Sequence, residues 1–271
     1  MIPTFRIAPT PSGFLHIGNA CNALLTWQLA QQHRGQVLLR IDDLDAERKK
    51  TSYLCDIFET LDWLGIEWQL GPMGPDDFEQ NWSQAHRAHL YENMLLRLAG
   101  SGFVYACALS RSQLQDATPE SRRDQKLSLD ASSGISWRVE TTPKLIAFSD
   151  TNNRNYTINL NETMPDFVVR RRDGIAAYQV ASLADDIHFG VTHIVRGQDL
   201  LPSTAAQLFL ADLLGVSSLR STAWLHHPLI TDEAGQKLSK SAGSMALQGR
   251  KTSKTRDQIR RIVDGWRNEE R

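Results

Sequence analysis

Two short runs in the 271-residue chain combine residue types suited to holding phosphate. The first is Pro9-Thr10-Pro11-Ser12-Gly13-Phe14-Leu15-His16-Ile17-Gly18-Asn19, which falls between an apolar run and a stretch of helical periodicity. A helix N-terminus presents unpaired N–H groups and a partial positive charge, so it holds anions. Gly18 would let a ligand approach the backbone closely. His16 and Asn19 lie three residues apart, so both side chains can reach one phosphate group. The plain alternative is a helix start with an incidental histidine. The second run is Lys237-Leu238-Ser239-Lys240-Ser241, preceded by a loop at Gly235. Two lysines three apart, flanked by small hydroxyls, suit a loop that clamps polyphosphate, because lysine acts there as a compact point charge. The alternative is a solvated lysine pair.

These runs need elements to position them. Residues 5–8 read as a short buried strand, ended by Pro9, Pro11 and Gly13, which cannot continue a ladder. A helix is expected from near His16, with Ile17, Ala20, Cys21, Leu24 and Leu25 on one apolar face. Cys21 sits on that face, which argues for core rather than ligand. Residues 37–41 are mostly apolar, as in a parallel strand covered on both sides, and end in Asp42-Asp43-Leu44-Asp45. A second helix follows, with Leu54, Ile57, Phe58, Leu61 and Leu64 on one face and Gly65 as its stop. Strand–helix–strand–helix reads as the start of an α/β fold. Residues 101–165 are rich in Ser, Thr, Asn and Asp and read as an insertion with short strands near 135–140 and 156–160. The α/β pattern returns at 178–184 and 193–196, and a helix is expected after Pro202, with Ser203 as its cap.

Composition bounds the rest. With 41% hydrophobic and 23% charged residues the chain is neither disordered nor fibrous. No window approaches the roughly 18 apolar residues of a membrane span, and the start has no signal-peptide pattern. Three scattered cysteines do not make a disulfide framework. A cytoplasmic protein with no membrane partner is expected. The net charge of −1 hides a gradient: residues 245–271 carry eight Lys/Arg against four Asp/Glu, a net +4, which leaves −5 on the first 244.

His16-Ile17-Gly18-Asn19 and Lys237-Leu238-Ser239-Lys240-Ser241 together resemble the paired signatures of class I aminoacyl-tRNA synthetases. Residues 6–13, 40–45, Arg171-Arg172-Asp173-Gly174 and Val195-Arg196-Gly197-Gln198-Asp199-Leu200 resemble the glutamyl branch of that family. The resemblance runs in order from about residue 5 to 245. It implies an α/β fold: a Rossmann-like catalytic domain, its parallel sheet covered by helices on both faces and interrupted by a small α+β insertion. The expected division is 1–100 and 166–244 for the two catalytic halves, 101–165 for an acceptor-end insertion, and 245–271 for a basic C-terminal segment. Only 30 residues follow Ser241, so no anticodon-binding domain is expected. That resembles the short paralogues of the branch, which attach glutamate to the queuosine base of tRNA(Asp). Leu200, where full-length enzymes usually carry Trp, fits them too.

The resemblance also implies roles. ATP and L-glutamate would form glutamyl adenylate, and the acyl group would pass to tRNA(Asp) carrying queuosine. His16 and Asn19 would contact the phosphates, with Gly18 and Ser239 completing the ATP site. Lys237 and Lys240 would stabilise the leaving pyrophosphate. Mg²⁺ would accompany ATP. Arg6 and Arg196 would read the glutamate carboxylate, with Tyr178 lining the pocket and Ile7, Ala8, Pro9 and Thr10 bordering it. Asp42, where the family usually has Glu, would partner the α-amino group, and Ser182 stands where many relatives have Asn. The alternative for the two arginines is a structural ion pair with Asp42 or Asp199. Relatives often hold zinc in the insertion through a Cys-x-Cys pair. Here Leu109 replaces the second Cys after Cys107, so no zinc is expected and the insertion should be held by packing alone. A monomer touching a limited stretch of tRNA is expected, through Arg170-Arg171-Arg172 and the basic C-terminal segment. The alternatives are a glutamyl-adenylate ligase with another acceptor (a small molecule, a protein or another RNA) or a non-catalytic nucleotide- or RNA-binding paralogue.

Overall fold

The apolar run at the start of the chain forms β1 (Thr4–Ile7), and residues 9–13 turn the chain into α1 (Ile17–Gln32). The computed structural model describes residues 2–123, 127–129, 134–141, 145–230 and 246–268. After α1 come β2 (Gln36–Leu39), α2 (Thr51–Leu64) and α3 (Ala88–Ala99). Five short strands follow: β3 (Val104–Cys107), β4 (Ser136–Val139), β5 (Leu145–Ser149), β6 (Asn155–Asn159) and β7 (Val168–Arg170). Long elements return with α4 (Tyr178–His188), β8 (His193–Gly197), α5 (Leu201–Leu213), β9 (Ala223–His227) and α6 (Ser253–Asn268).

Strands β2, β1, β8 and β9 pair in that order, all parallel. Their apolar residues alternate between two cores, as the pleat requires. Leu38, Ile194 and Trp224 enter one core with α3, α4 and α5. Val37, Leu39, Val195 and Leu225 enter the other with α1, α2 and α6. The sheet is therefore a middle layer between two helical layers. Helix α2 stops where expected, because Gly65 takes φ 72°, which costs other residues strain. The expected cap of α5 is not made. Pro202 lies in its first turn, and the Ser203 hydroxyl instead accepts from Gln179 Nε2 at 3.0 Å.

The polar middle of the chain builds an antiparallel sheet of β3, β4 and β7 and a hairpin of β5 and β6. Val104, Trp137, Val139, Ile146 and Leu160 join the core of α3, α4 and α5. Packing alone does not hold it. The Asp166 carboxylate, fully buried, accepts from Arg123 Nε and Nη2 (both 3.0 Å), the Tyr105 hydroxyl (2.8 Å) and the Thr141 N–H (3.0 Å). A buried carboxylate survives only with such a full set of donors. At the far end, the basic C-terminal segment is a docked helix. Ile259, Val263 and Trp266 of α6 are buried in the same core as Ala20 and Leu24 of α1. No described helix is long and apolar enough to cross a membrane.

Candidate active site

The order β2-β1-β8-β9 reverses its direction of growth between β1 and β8, and ligands of open α/β sheets bind outside the carboxyl ends of the strands at such a point. A cavity of about 440 Å³ lies there. Its wall brings together Arg6, Ile7, Ala8, Pro9, His16, Gly18, Asn19, Tyr178 and Arg196, residues that span most of the chain. Thr10 is exposed beside this wall and does not line it. Asp42 and Ser182 lie behind it, against Arg40. Lys237, Ser239 and Lys240 lie outside the described residues. A second cavity, about 610 Å³, opens at the amino ends of the same strands near Phe5, His193 and Ala223 and holds none of the candidate site residues.

His16 caps α1. Its Nδ1 accepts from the Asn19 N–H at 3.3 Å, and Asn19 Oδ1 accepts from the His16 N–H at 3.1 Å. The two side chains that could share a phosphate thus also tie the helix start together in a reciprocal box. Nδ1 as acceptor puts the proton of the neutral ring on Nε2. Gly18 is needed sterically: a Cβ there would sit 2.9 Å from His16 Cε1. The preceding loop is pinned as well, since the Leu15 N–H donates to the buried Asp56 at 2.8 Å and Lys251 pairs with the same carboxylate at 3.0 Å. Both flanks of the lysine-rich segment reach this site. Leu229 and Ile230 line the cavity, and Ala246 forms a β-bridge with His16.

Behind the wall runs a buried chain of ions. Arg40 Nε and Nη2 grip Asp42 at 2.7 and 3.0 Å, and Nη1 reaches Asp186 at 2.7 Å. Its Nη2 also donates to the Ser182 hydroxyl at 3.1 Å. Asp186 accepts from Arg6 Nε at 3.3 Å, and Arg6 Nη1 reaches the Val195 carbonyl at 3.4 Å. Arg6 is therefore in an ion pair, with Asp186 rather than Asp42 or Asp199. Burial pushes the Asp42 carboxyl up despite Arg40, whereas Asp185, next to Asp186 on α4, stays below the usual carboxylate range. Burial opposes its charge too, but Arg87, Arg40 and Gln84 outweigh it.

Arg196 differs from Arg6 and Arg40. It is 3% exposed and has no carboxylate partner among the described residues. Its Nη1 donates to Gln207 Oε1 at 3.1 Å and to Thr204 Oγ1 at 3.3 Å, and the guanidinium lies 5.0 Å from the Trp224 ring centroid. Its Nε and Nη2 are buried with no acceptor. Burial drops its pKa from 12.5 to about 10, so it remains a cation. Among the described residues, Arg6, Arg40, Arg87 and Arg196 face Asp42, Asp185 and Asp186 in this cluster, and the surplus positive charge rests on Arg196, the arginine with no carboxylate partner. A buried cation with unsatisfied donors, on a residue that lines a cavity, suits an anionic ligand.

Several wall residues were missed in the sequence. Asn22, one turn after Asn19, donates to His227 Nε2 at 3.1 Å, and His227 Nδ1 lies 2.8 Å from the Pro228 carbonyl. A carbonyl only accepts, so His227 carries its proton on Nδ1, and burial keeps the ring neutral. Trp266 of α6 stacks on it with centroids 4.2 Å apart. The stripe Ile259, Ile262, Val263 and Trp266 was the available signal, masked by the surrounding charge. Asp186 and Gln207 gave no motif-level signal. The Arg170-Arg171-Arg172 cluster is engaged within the protein: Arg170 lies over the Trp137 ring, Arg171 pairs with Asp173, and Arg172 donates to the carbonyls of Ala108 and Leu109. Cys21 is core, its thiol pushed up to about 12 by burial.

Known proteins resemble this chain over most of its length. A glutamyl-Q tRNA(Asp) synthetase from Neisseria meningitidis (serogroup C, strain FAM18) is 38% identical over 254 residues, covering 90% of this chain and 82% of that protein. One from Pseudomonas syringae pv. syringae is 42% identical over 245 residues, covering 89% and 78%. The crystal structure of glutamate-tRNA synthetase from Elizabethkingia anophelis superposes with a TM-score of 0.76 at 24% identity, over 90% of this chain and 54% of that one. At that identity the likeness speaks for the fold alone, and the chain spans about half of that enzyme. Residues 4–263 match the family model for tRNA synthetases class I (E and Q), catalytic domain, and the chain belongs to that family.

Proposed function

We propose that the chain uses ATP to activate L-glutamate as glutamyl adenylate and transfers the glutamyl group to the queuosine base of tRNA(Asp). Membership of the family and the names of its relatives support this reading. The observation that carries the amino-acid assignment is Arg196, a buried guanidinium on the cavity wall with two donor nitrogens unmet. A side-chain carboxylate of a small substrate answers it. Arg6 stands on the same wall, fixed by Asp186. Asp42, held behind the wall by Arg40, would partner the α-ammonium.

In the first step a glutamate α-carboxylate oxygen attacks the α-phosphorus of ATP, the bond to the bridging oxygen breaks, and pyrophosphate leaves. In the second the acyl carbon passes to the acceptor and AMP leaves. The chain's contribution is positioning and electrostatics. The N–H groups of the first turn of α1, with His16, Gly18 and Asn19, would meet the phosphates. Lys237, Ser239 and Lys240 would join them, a role supported by the flanks of their segment at Ile230 and Ala246. Mg²⁺ binds through one or two carboxylates, phosphates and water. Among the described residues the wall carries one carboxylate, Asp199, and no convergent group of three His, Cys, Asp or Glu side chains is found. That set fits an ion carried on the triphosphate, where it would offset phosphate charge. The middle of the chain, about 101–165, would contact the RNA, and its antiparallel sheet runs on to Arg170.

ATP–pyrophosphate exchange across a panel of amino acids, followed by charging of tRNA(Asp) with and without queuosine, tests the reading. Glutamate-dependent exchange and queuosine-dependent charging are expected. No exchange with glutamate would refute the activation step, and charging that survives removal of queuosine would refute the acceptor.

A further inference from the structure

The buried side chains that hold Arg196 are all uncharged. Gln207 and Thr204 project from α5, one turn apart, and accept from the same Nη1. Thr204 Oγ1 in turn lies 2.9 Å from His226 Nε2 on β9. His226 is fully buried, and burial with the nearby Arg196 holds its pKa near 3, so the ring is neutral. Gln207 is 1% exposed, and its Nε2 has no partner. The amide orientation follows from the charge beside it: turned over, it would point N–H groups at a guanidinium. The charged side chains of this cluster that act on Arg196, namely Arg6, Arg40 and Asp186, are already paired among themselves.

This arrangement is chemically pointed. A glutamate at position 207 would have almost the same shape, and would present a carboxylate where the amide oxygen now sits 3.1 Å from Nη1. It would satisfy Arg196 and remove the surplus charge from the wall. An amide oxygen aims the guanidinium equally well and leaves its charge uncompensated. We propose that Gln207 is a positioning and selectivity residue of this pocket: a neutral acceptor that orients Arg196 without neutralising it, so that the charge is kept for the anionic side chain of the amino acid. The inference rests on the reading of this cavity as the glutamate site.

Two variants test it, measured by ATP–pyrophosphate exchange with glutamate and with glutamine, alongside thermal melts. Gln207→Glu should raise KM for glutamate about 10- to 100-fold, the range for losing one charged hydrogen bond. The preference for glutamate over glutamine should fall by a similar factor, while KM for ATP stays within about twofold and Tm does not drop. Gln207→Met removes the acceptor but keeps the charge. It should raise KM for glutamate while preserving the preference over glutamine. A purely structural role would shift the ATP and glutamate constants together, with Tm, in both variants, and that result overturns the proposal. An unchanged glutamate KM in Gln207→Glu, in a protein whose wild type activates glutamate, overturns this inference alone. A wild type that activates no glutamate overturns the reading of the cavity and this inference with it.

Discussion

Replacing Arg196 with methionine should leave the protein about as stable as before, or slightly more so, while removing its response to glutamate. The arginine is 3% exposed, and burial lowers its pKa from 12.5 to about 10. At 1.36 kcal/mol per pH unit, that difference is about 3 kcal/mol held against the folded state. A base whose folded pKa is depressed costs stability wherever the unfolded chain keeps its proton. The penalty is therefore complete below about pH 10 and fades only as pH rises toward 12.5. Methionine fills similar space without charge. Against this relief, Gln207 Oε1 loses its donor, about 1 kcal/mol or slightly more. The contact with Trp224 at 5.0 Å is lost as well, about 1–2 kcal/mol for a desolvated pair. The sum lies between zero and about 1 kcal/mol of added stability. Urea unfolding with and without glutamate measures it. Wild type should gain about 2.7 kcal/mol at a ligand concentration 100 times Kd, and the variant nothing. Glutamate-dependent exchange should fall at least about 100-fold, since the anchoring charge is gone. A loss of 3 kcal/mol or more, with stabilisation by glutamate intact, would identify Arg196 as a structural cation and refute the assignment.

Gly18→Ala should drive the His16 ring from its place over α1, because the new Cβ would lie 2.9 Å from Cε1. Exchange activity should fall about tenfold or more with under about 1 kcal/mol change in stability, and an active enzyme with normal ATP constants would refute the role given to His16. Asp185→Asn should cost about 3–5 kcal/mol in urea unfolding, because Arg87, bonded at 2.8 and 3.2 Å, would stay buried without its counter-charge. Asp185 and Asp166 both sit below the usual carboxylate range, so each stabilises the fold above about pH 4. That stability is lost as pH falls through their folded values, and a urea midpoint that stays flat from pH 7 to 3 would contradict it.

Much of the framework was legible along the chain. The paired prolines and glycine before His16, the apolar face of α1 and the stop at Gly65 are local signals, and they form as read because capping and periodicity act within one or two turns. The Ser203 cap failed for the opposite reason: its hydroxyl has a competing partner in Gln179, 24 residues away. The C-terminal segment looked like a basic tail because a charge count averages over faces, whereas Trp266 and Val263 occupy one buried stripe of α6. The insertion looked like packing alone because Asp166 and its donors are spread from residue 105 to 166.

The sequence by itself determined which residue types were present in the right order: a histidine at a helix start, a lysine pair near residue 240, and arginines at 6 and 196. It could not say which arginine was spoken for. Arg6 and Arg40 find Asp186 across 180 and 146 residues of chain. Arg196 comes off β8 into a wall of hydroxyl, amide and indole. Charge alone is a property of composition. Whether a charge is compensated depends on distance and burial, and only the packing of β1, β8, α4 and α5 around one cavity decided that.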